Sequence, residues 1–248
     1  MGTGLIYLSF ASLLSRQSIF NSPMNTKLLI GAAIVLILGF LYVSYTSTNP
    51  VVQKTFPDVA KIQKVASDSA SIADHTKGTG KRVLTEFADL QCPACRTFHE
   101  YLKSEMVKDP AFGKLMTEQY TVVYRHFPLV NIHQHAQIAA QSAEAAGLQG
   151  KFFEFIDVAF AKQDEWAKSQ DPQEQFKNYA TDLGLDTLLF KEDTNSAAVK
   201  QKIDRDVKAG LAANLQATPS FYIDGEAIQG FGSFEEFKKV LVEKASAK

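Results

Sequence analysis

The sequence predicts an α/β domain with a helical block inserted in it, preceded by an N-terminal transmembrane helix. Three observations carry this reading. A strand-like run at 82–88 leads within a few residues into a helix-like run at 93–106, and a second strand-like run follows at 120–127. From 131 to about 215 no convincing strand occurs, only helical segments. Residues 28–45 are apolar almost without a break and carry no charge.

The chain has 248 residues, enough for one large domain or two small ones, and a formal net charge of −1. There is no basic block, so no nucleic-acid partner is expected. At about 1.5 Å per residue the 28–45 run nearly crosses a hydrocarbon core, and no polar face interrupts it as it would in a buried soluble helix. It reads as an uncleaved anchor in preference to a long cleaved signal, because only Ser44-x-Thr46 stands in for a small-residue cleavage site. Arg16 and Lys27 precede the run while Lys54, Lys61 and Lys64 follow it, so the positive-inside count leaves orientation open. The expected organisation is a tail at 1–27, an anchor at 28–45, a linker at 46–71 and a folded domain at 72–248. Met24-Asn25-Thr26-Lys27 makes an ordinary basic start for a signal anchor, and translation is expected to begin at Met24. Pro50, Pro57 and small polar residues make the linker a tether.

Within the domain, residues 82–88 alternate and are rich in β-formers, and are expected to form a central strand. The helix at 93–106 should turn Phe98, Tyr101, Leu102 and Met106 partly inward. With the strand at 120–127 these make a βαβ unit with parallel strands. Helices are then expected at 132–146, 151–161, 172–183 and 196–215, with Gly147, Gly150 and Gly184 marking ends. Strands at 220–223 and 227–229 flank Asp224-Gly225, a strong hairpin signal. A last amphipathic helix at 234–245 should bury Phe237, Val240 and Leu241.

The chemistry concentrates in Glu86-Phe87-Ala88-Asp89-Leu90-Gln91-Cys92-Pro93-Ala94-Cys95-Arg96. Both cysteines of the chain are here, after a strand and at the start of a helix, so there is no disulfide framework and no spare thiol. Two thiols at this spacing can close a small ring across the first helical turn. The helix N-terminus offers unpaired N–H groups and partial positive charge to Cys92, which lowers a thiol pKa. Pro93 fits the first helical position, where it forfeits no hydrogen bond. An inert structural disulfide is the alternative. Glu86 sits among apolar neighbours. It is either a buried acid with a raised pKa, able to take a proton from Cys95, or an outward-facing edge residue. Among the five histidines none has finger-like spacing from the cysteines, and no metal site is expected. His133-x-His135 does not converge on a helix and reads as solvated, and His99 reads as an ordinary helix-surface residue. Phe152, Phe153, Phe155 and Phe160 read as core.

Strand, Cys-Pro-x-Cys and helix resemble the thioredoxin superfamily, and Phe-x-Asp-x-x-Cys-Pro-x-Cys is similar to its DsbA-like branch of exported bacterial thiol oxidoreductases. Ala217-Thr218-Pro219-Ser220-Phe221 resembles the cis-proline loop of that family, and Glu86 stands where it commonly keeps a buried acid. The resemblance covers roughly residues 72–248. It implies a thioredoxin-like fold with an inserted helical domain, Cys92 as the exposed attacking thiol and Cys95 as the deeper resolving one. It also implies a cis bond before Pro219, with Thr218 presenting backbone groups to an extended substrate. Ala94 departs from the histidine of the most oxidising members. The helix start and Arg96 remain as thiolate stabilisers, and a less extreme oxidant than one at about −120 mV is expected. The function implied is a membrane-tethered thiol:disulfide oxidoreductase on the extracytoplasmic side, most simply an oxidase of folding proteins with free thiols. A reductase or isomerase kept reduced by a membrane donor, and a non-catalytic binding or chaperone module, stay open. No cofactor beyond the redox-active disulfide is implied. The family's usual partner is a quinone-linked membrane protein, and with no recognisable dimerisation segment a monomer is expected.

Overall fold

The computed structural model describes residues 72–229 and 231–246, and the expected tail, anchor, linker and Met24 start lie outside them. Five strands form one mixed sheet: β1 (His75–Lys77), β2 (Arg82–Ala88), β3 (Tyr120–His126), β4 (Ser220–Ile223) and β5 (Glu226–Ala227), in the order β1-β3-β2-β4-β5. The expectation of a central strand at 82–88 holds. β2 runs parallel to β3, with Glu86 opposite Tyr124, and antiparallel to β4, with Glu86 opposite Phe221. Helix α1 (Pro93–Lys108) and a second helix, α2 (Pro110–Glu118), make the crossover between β2 and β3.

The helical block consists of α3 (Ala136–Leu148), α4 (Phe152–Ala161), α5 (Gln163–Trp166), α6 (Pro172–Asp182), α7 (Thr187–Thr194) and α8 (Ala197–Ala212), and α9 (Phe234–Ser246) follows the hairpin. Four elements go beyond the sequence reading, one of them the four-residue α5. Strand β1 is three residues on a sheet edge, too short to show a period. Helix α2 starts on Asp109, whose carboxylate accepts from the N–H groups of Ala111 and Phe112, with Pro110 in the first turn. Helix α7 is capped the same way by Asp186 but buries only Phe190 and Thr194, leaving too thin an apolar stripe to read.

Other boundaries move for identifiable reasons. Helix α3 starts at Ala136, not 132, because residues 129–135 turn to meet Asp89. Helix α8 stops at Ala212, where Asn214 takes a left-handed φ of 55° and the Leu215 N–H returns to the Gly210 carbonyl. Gly147 lies inside α3 and is not an end, whereas Gly150 and Gly184 adopt positive φ after helices. The Asp224-Gly225 hairpin forms with positive φ at both residues. Strand β5 is shorter than the expected 227–229 segment.

Apart from a smaller cluster of Phe87, Phe127, Leu215 and Tyr222, the two largest hydrophobic clusters among the described residues pack on the sheet. One packs Leu84, Phe112, Tyr120, Phe221, Phe237 and Leu241 between the sheet and α1, α2 and α9. The other joins Ala88, Leu90, Cys95 and Tyr124 to the aromatics of the block, among them Phe152, Phe155, Phe160 and Trp166. Alanines 139, 143, 145 and 146 let α3 sit deep in that second core. Tyr101 is half exposed, contrary to the inward placement expected of it.

Candidate active site

Strand β2 delivers the chain at Asp89, and α1 begins one step after Cys92. Cys92 is the residue that caps α1, in extended conformation, with Pro93 in the first turn. The turn closes through the Cys92 N–H, which donates to the Asp89 carbonyl at 3.0 Å. The Thr218–Pro219 peptide is cis, as the resemblance implied, and the Cys92 thiol donates to the Thr218 carbonyl at 3.4 Å. Cys92, Pro93, Ala94, Cys95, Thr218 and Pro219 are thus brought to one end of α1. Cys92 is only 7% exposed, so it is not the open thiol expected from the sequence: the loop before Pro219 covers it. Ala94 is exposed and, with Phe98, Tyr101, Pro219, Phe231 and Phe234, lines an open apolar groove beside Cys92.

The two thiols are driven apart electrostatically. Cys92 is lowered to about 5, chiefly by a hydrogen bond from the Cys95 thiol, which outweighs burial. The backbone N–H groups of Cys95 and Ala94 add to this, as a helix mouth should. The Thr218 hydroxyl, buried without another partner, contributes as well. Cys95 is fully buried and pushed well above its ordinary value, first by that burial and then by its neighbour Cys92. Arg96 does not serve Cys92 as expected. Its guanidinium turns away to Asp164 at 2.6 Å.

Glu86 is 7% exposed, which removes the outward-facing alternative. Its Oε1 has no hydrogen-bond partner, and burial raises its carboxyl to about 7 against an opposing pull from His99. Opposite it in the β2–β3 register, buried Tyr124 carries a hydroxyl without a partner. Burial first, then Glu86 and Cys95, push that hydroxyl well above its usual range.

Several residues of the site went unread in the sequence. Asp89 is one of them. Its buried carboxylate accepts from the Gln91 N–H (2.7 Å), the Leu129 N–H (2.9 Å) and His133 Nδ1 (2.7 Å), while its own N–H donates to Cys95 Sγ at 3.5 Å. His133 is therefore not a free solvated histidine. From the far side, Gln163 Nε2 donates to the carbonyls of Leu90 (2.7 Å) and Cys92 (3.0 Å). His99 is not an ordinary surface residue either: it bonds Asp157 of α4 at 2.7 Å and rests against Phe160. A sequence signal existed only for Asp89, through its place between strand and Cys92. The others are distant in the chain. Among the described residues no cluster of three or more His, Cys, Asp or Glu is placed to hold a metal ion.

With this geometry in hand, a family model described as thioredoxin (Thioredoxin_4) matches residues 77–243. Over 161 residues the chain is 33% identical to a protein of Salinispora tropica named Na(+)/H(+) antiporter NhaA 3, a match that takes in 63% of this chain and 22% of that protein. The chain spans less than a quarter of the length of the curated relatives it matches. Among solved structures, BdbD from Bacillus subtilis superposes with a TM-score of 0.59 at 18% identity, covering 70% of this chain and 94% of that one. The alpha-DsbA1 of Wolbachia pipientis gives 0.57 at 23% identity, covering 69% and 92%. These likenesses are of fold. A family match that runs from the edge strand to the last helix, on a sheet that carries Cys-Pro-x-Cys and a cis-proline loop side by side, shows that the chain belongs to the thioredoxin family.

Proposed function

We propose that the protein is a thiol:disulfide oxidoreductase that donates the Cys92–Cys95 disulfide to proteins with free thiols. The observation that carries this reading is the placement of the two thiols: Cys92 caps α1 against the cis Thr218–Pro219 loop and Cys95 is buried behind it, an arrangement that lowers the first thiol's pKa and raises the second's. A stabilised Cys92 thiolate favours the reduced protein, which makes the oxidised form an electron acceptor. A substrate thiolate attacks Cys92 Sγ, the S–S bond to Cys95 breaks, and Cys95 leaves as a thiolate that takes up a proton. A second substrate thiolate then attacks the substrate sulfur of the mixed disulfide and Cys92 departs as thiolate. Two electrons have moved from the substrate dithiol to the protein, and no organic cofactor enters.

Each neighbour has a part. The N–H groups of Ala94 and Cys95 hold charge on Cys92, and Glu86 supplies and receives the proton of Cys95. The cis loop presents Thr218 to an extended chain, and the apolar groove beyond Ala94 suits side chains of unfolded substrates. With Ala94 in place of a charged donor, the couple is a milder oxidant than one at about −120 mV.

The apolar run at 28–45 supports a single-pass anchor with the domain on the extracytoplasmic side, where disulfides persist. Reoxidation then falls to a quinone-linked membrane partner, and the protein acts as a monomer. Ion transport, which the Salinispora relative's name states, is not extended to this chain, which covers 22% of that protein. Equilibration of the dithiol with glutathione tests the direction. A couple near the ER or periplasmic range supports an oxidase, and one near −270 mV, as in thioredoxin, reverses it in favour of a reductase. Retention of thiol exchange by Cys92→Ser would remove the proposal.

A further inference from the structure

A cleft of about 110 Å³ opens between α1, α2, α4 and strands β1, β2 and β3, and Glu86 is among the residues that line it. That volume has room for more than one water molecule. The unpartnered Oε1 of Glu86 is among the most buried carboxyl oxygens of the domain, yet its residue lines this opening. The charged and titratable groups facing it are few: His99 and Lys103 from α1, Lys77 from β1, Tyr124 from β3 and Asp157 from α4, with Cys95 on the redox side. Asp157 of the helical block holds both His99, at 2.7 Å from Oδ1, and Lys103, at 2.6 Å from Oδ2, and of the two His99 is the more buried, its side chain 22% exposed against 62%. Asp157 stays ionised: burial works against it, but the bonds from His99 and Lys103 hold it down to about 2.

We infer that His99, positioned by Asp157, governs the proton that Glu86 exchanges with Cys95, and that this proton leaves through the cleft they line. The inference rests on the exchange reading above and deepens it. Glu86 Oε1 has no hydrogen-bond partner in the protein, so its proton exchange with Cys95 and with solvent needs a carrier. Water in the cleft is the available carrier. Positive charge on His99, one turn beyond Cys95, favours the carboxylate of Glu86 and so the form able to accept the next proton. His99 touches neither thiol and is a positioning residue, not a catalytic one.

The step that exposes this role is closure of the internal disulfide. Cys92 thiolate first attacks glutathione disulfide, giving Cys92–S–S–glutathione and a free glutathione thiolate. The Cys95 thiol then gives its proton to the Glu86 carboxylate and attacks Cys92 Sγ, the bond to glutathione breaks, and glutathione leaves as thiolate. In the full-length protein we expect H99Q to raise the pH midpoint of the second step by roughly half a unit. Below the midpoint its rate, relative to the first step, then falls about threefold, the factor that follows from tenfold per unit. H99K, which keeps a positive charge, should not raise the midpoint. Carbon-13 NMR of the Glu86 carboxyl in the same variants gives a second readout independent of turnover. An unchanged midpoint in H99Q, with E86Q still flattening the profile, overturns the role of His99 and leaves the exchange reading standing. If the wild-type protein closes no mixed disulfide at all, the exchange reading itself fails.

Discussion

The Asp89 carboxylate accepts a hydrogen bond from His133 Nδ1 at 2.7 Å, across a sequence separation of 44 residues. One oxygen thereby ties the loop that carries Cys92 to the turn that opens the helical block, since the same Oδ2 also accepts from the Leu129 N–H. Substituting Asp89→Ala strands three donors. It should destabilise the protein by about 3 kcal/mol, as loss of hydrogen bonds to a buried charge does. It should also loosen the N–H contact to Cys95 Sγ. Urea denaturation measures the first effect and the alkylation rate of Cys95 the second. A variant as stable as wild type would show that the brace contributes nothing.

Glu86 makes stability depend on pH with an unusual sign. Its carboxyl is raised from 4.5 to about 7 in the fold, so between these values the native state holds a proton that the unfolded state has released. Stability contributed by the neutral form is complete below about pH 4.5, declines as pH rises towards 7 and then levels, for a total of about 3 kcal/mol at 1.36 kcal/mol per unit. Glu86→Gln should abolish that slope and be the more stable protein at pH 8. Chemical denaturation at pH 4.5, 6 and 8 checks it.

Cys92 has the opposite sign. Its folded value near 5 lies below the ordinary thiol value of 9.0, so the reduced protein gains stability as pH rises from 5 towards 9 and loses it as pH falls through 5. The ultraviolet absorbance of the thiolate should titrate with a midpoint near 5. Because the Cys95 thiol is the foremost donor to that sulfur, Cys95→Ala should raise the midpoint by a unit or more and Cys95→Ser should raise it less. Midpoints unchanged from wild type in both variants would place the stabilisation in the backbone N–H groups and Thr218.

Away from the redox pair, Lys202 is buried with its Nζ 2.6 Å from Asp206, 3.5 Å from Glu144 and 3.7 Å from Asp74. Asp74 in turn pairs with Arg125 at 2.7 Å, and His75 with Glu144 at 2.8 Å, so the network fastens the β1 segment to β3, α3 and α8. Lys202→Met leaves two buried carboxylates short of a cation and should cost about 3–5 kcal/mol. The thiolate titration of Cys92 should not move, which separates this effect from any on the site. A fall in stability below about 1 kcal/mol would place the network with ordinary surface pairs.

The sequence by itself determined the parallel β2–β3 unit, the closing hairpin, the redox turn and the helical insertion. Those are local or strongly periodic: alternation over 82–88, proline after Cys92, two positive-φ residues at Asp224-Gly225. It also carried the chemistry of the pair, since a cysteine at a helix mouth has its N–H donors supplied by the next residues in the chain. Only tertiary structure decided what surrounds that pair. Lys202 and Asp206 look like a solvated i,i+4 couple until α8 is laid against β3, and His99 and His133 look like surface histidines until Asp157 and Asp89 arrive from other elements. Burial, which sets the charge of Glu86 and Cys95, is a property of what packs over a residue and not of its neighbours in sequence. The cover on Cys92 likewise comes from a loop more than a hundred positions away.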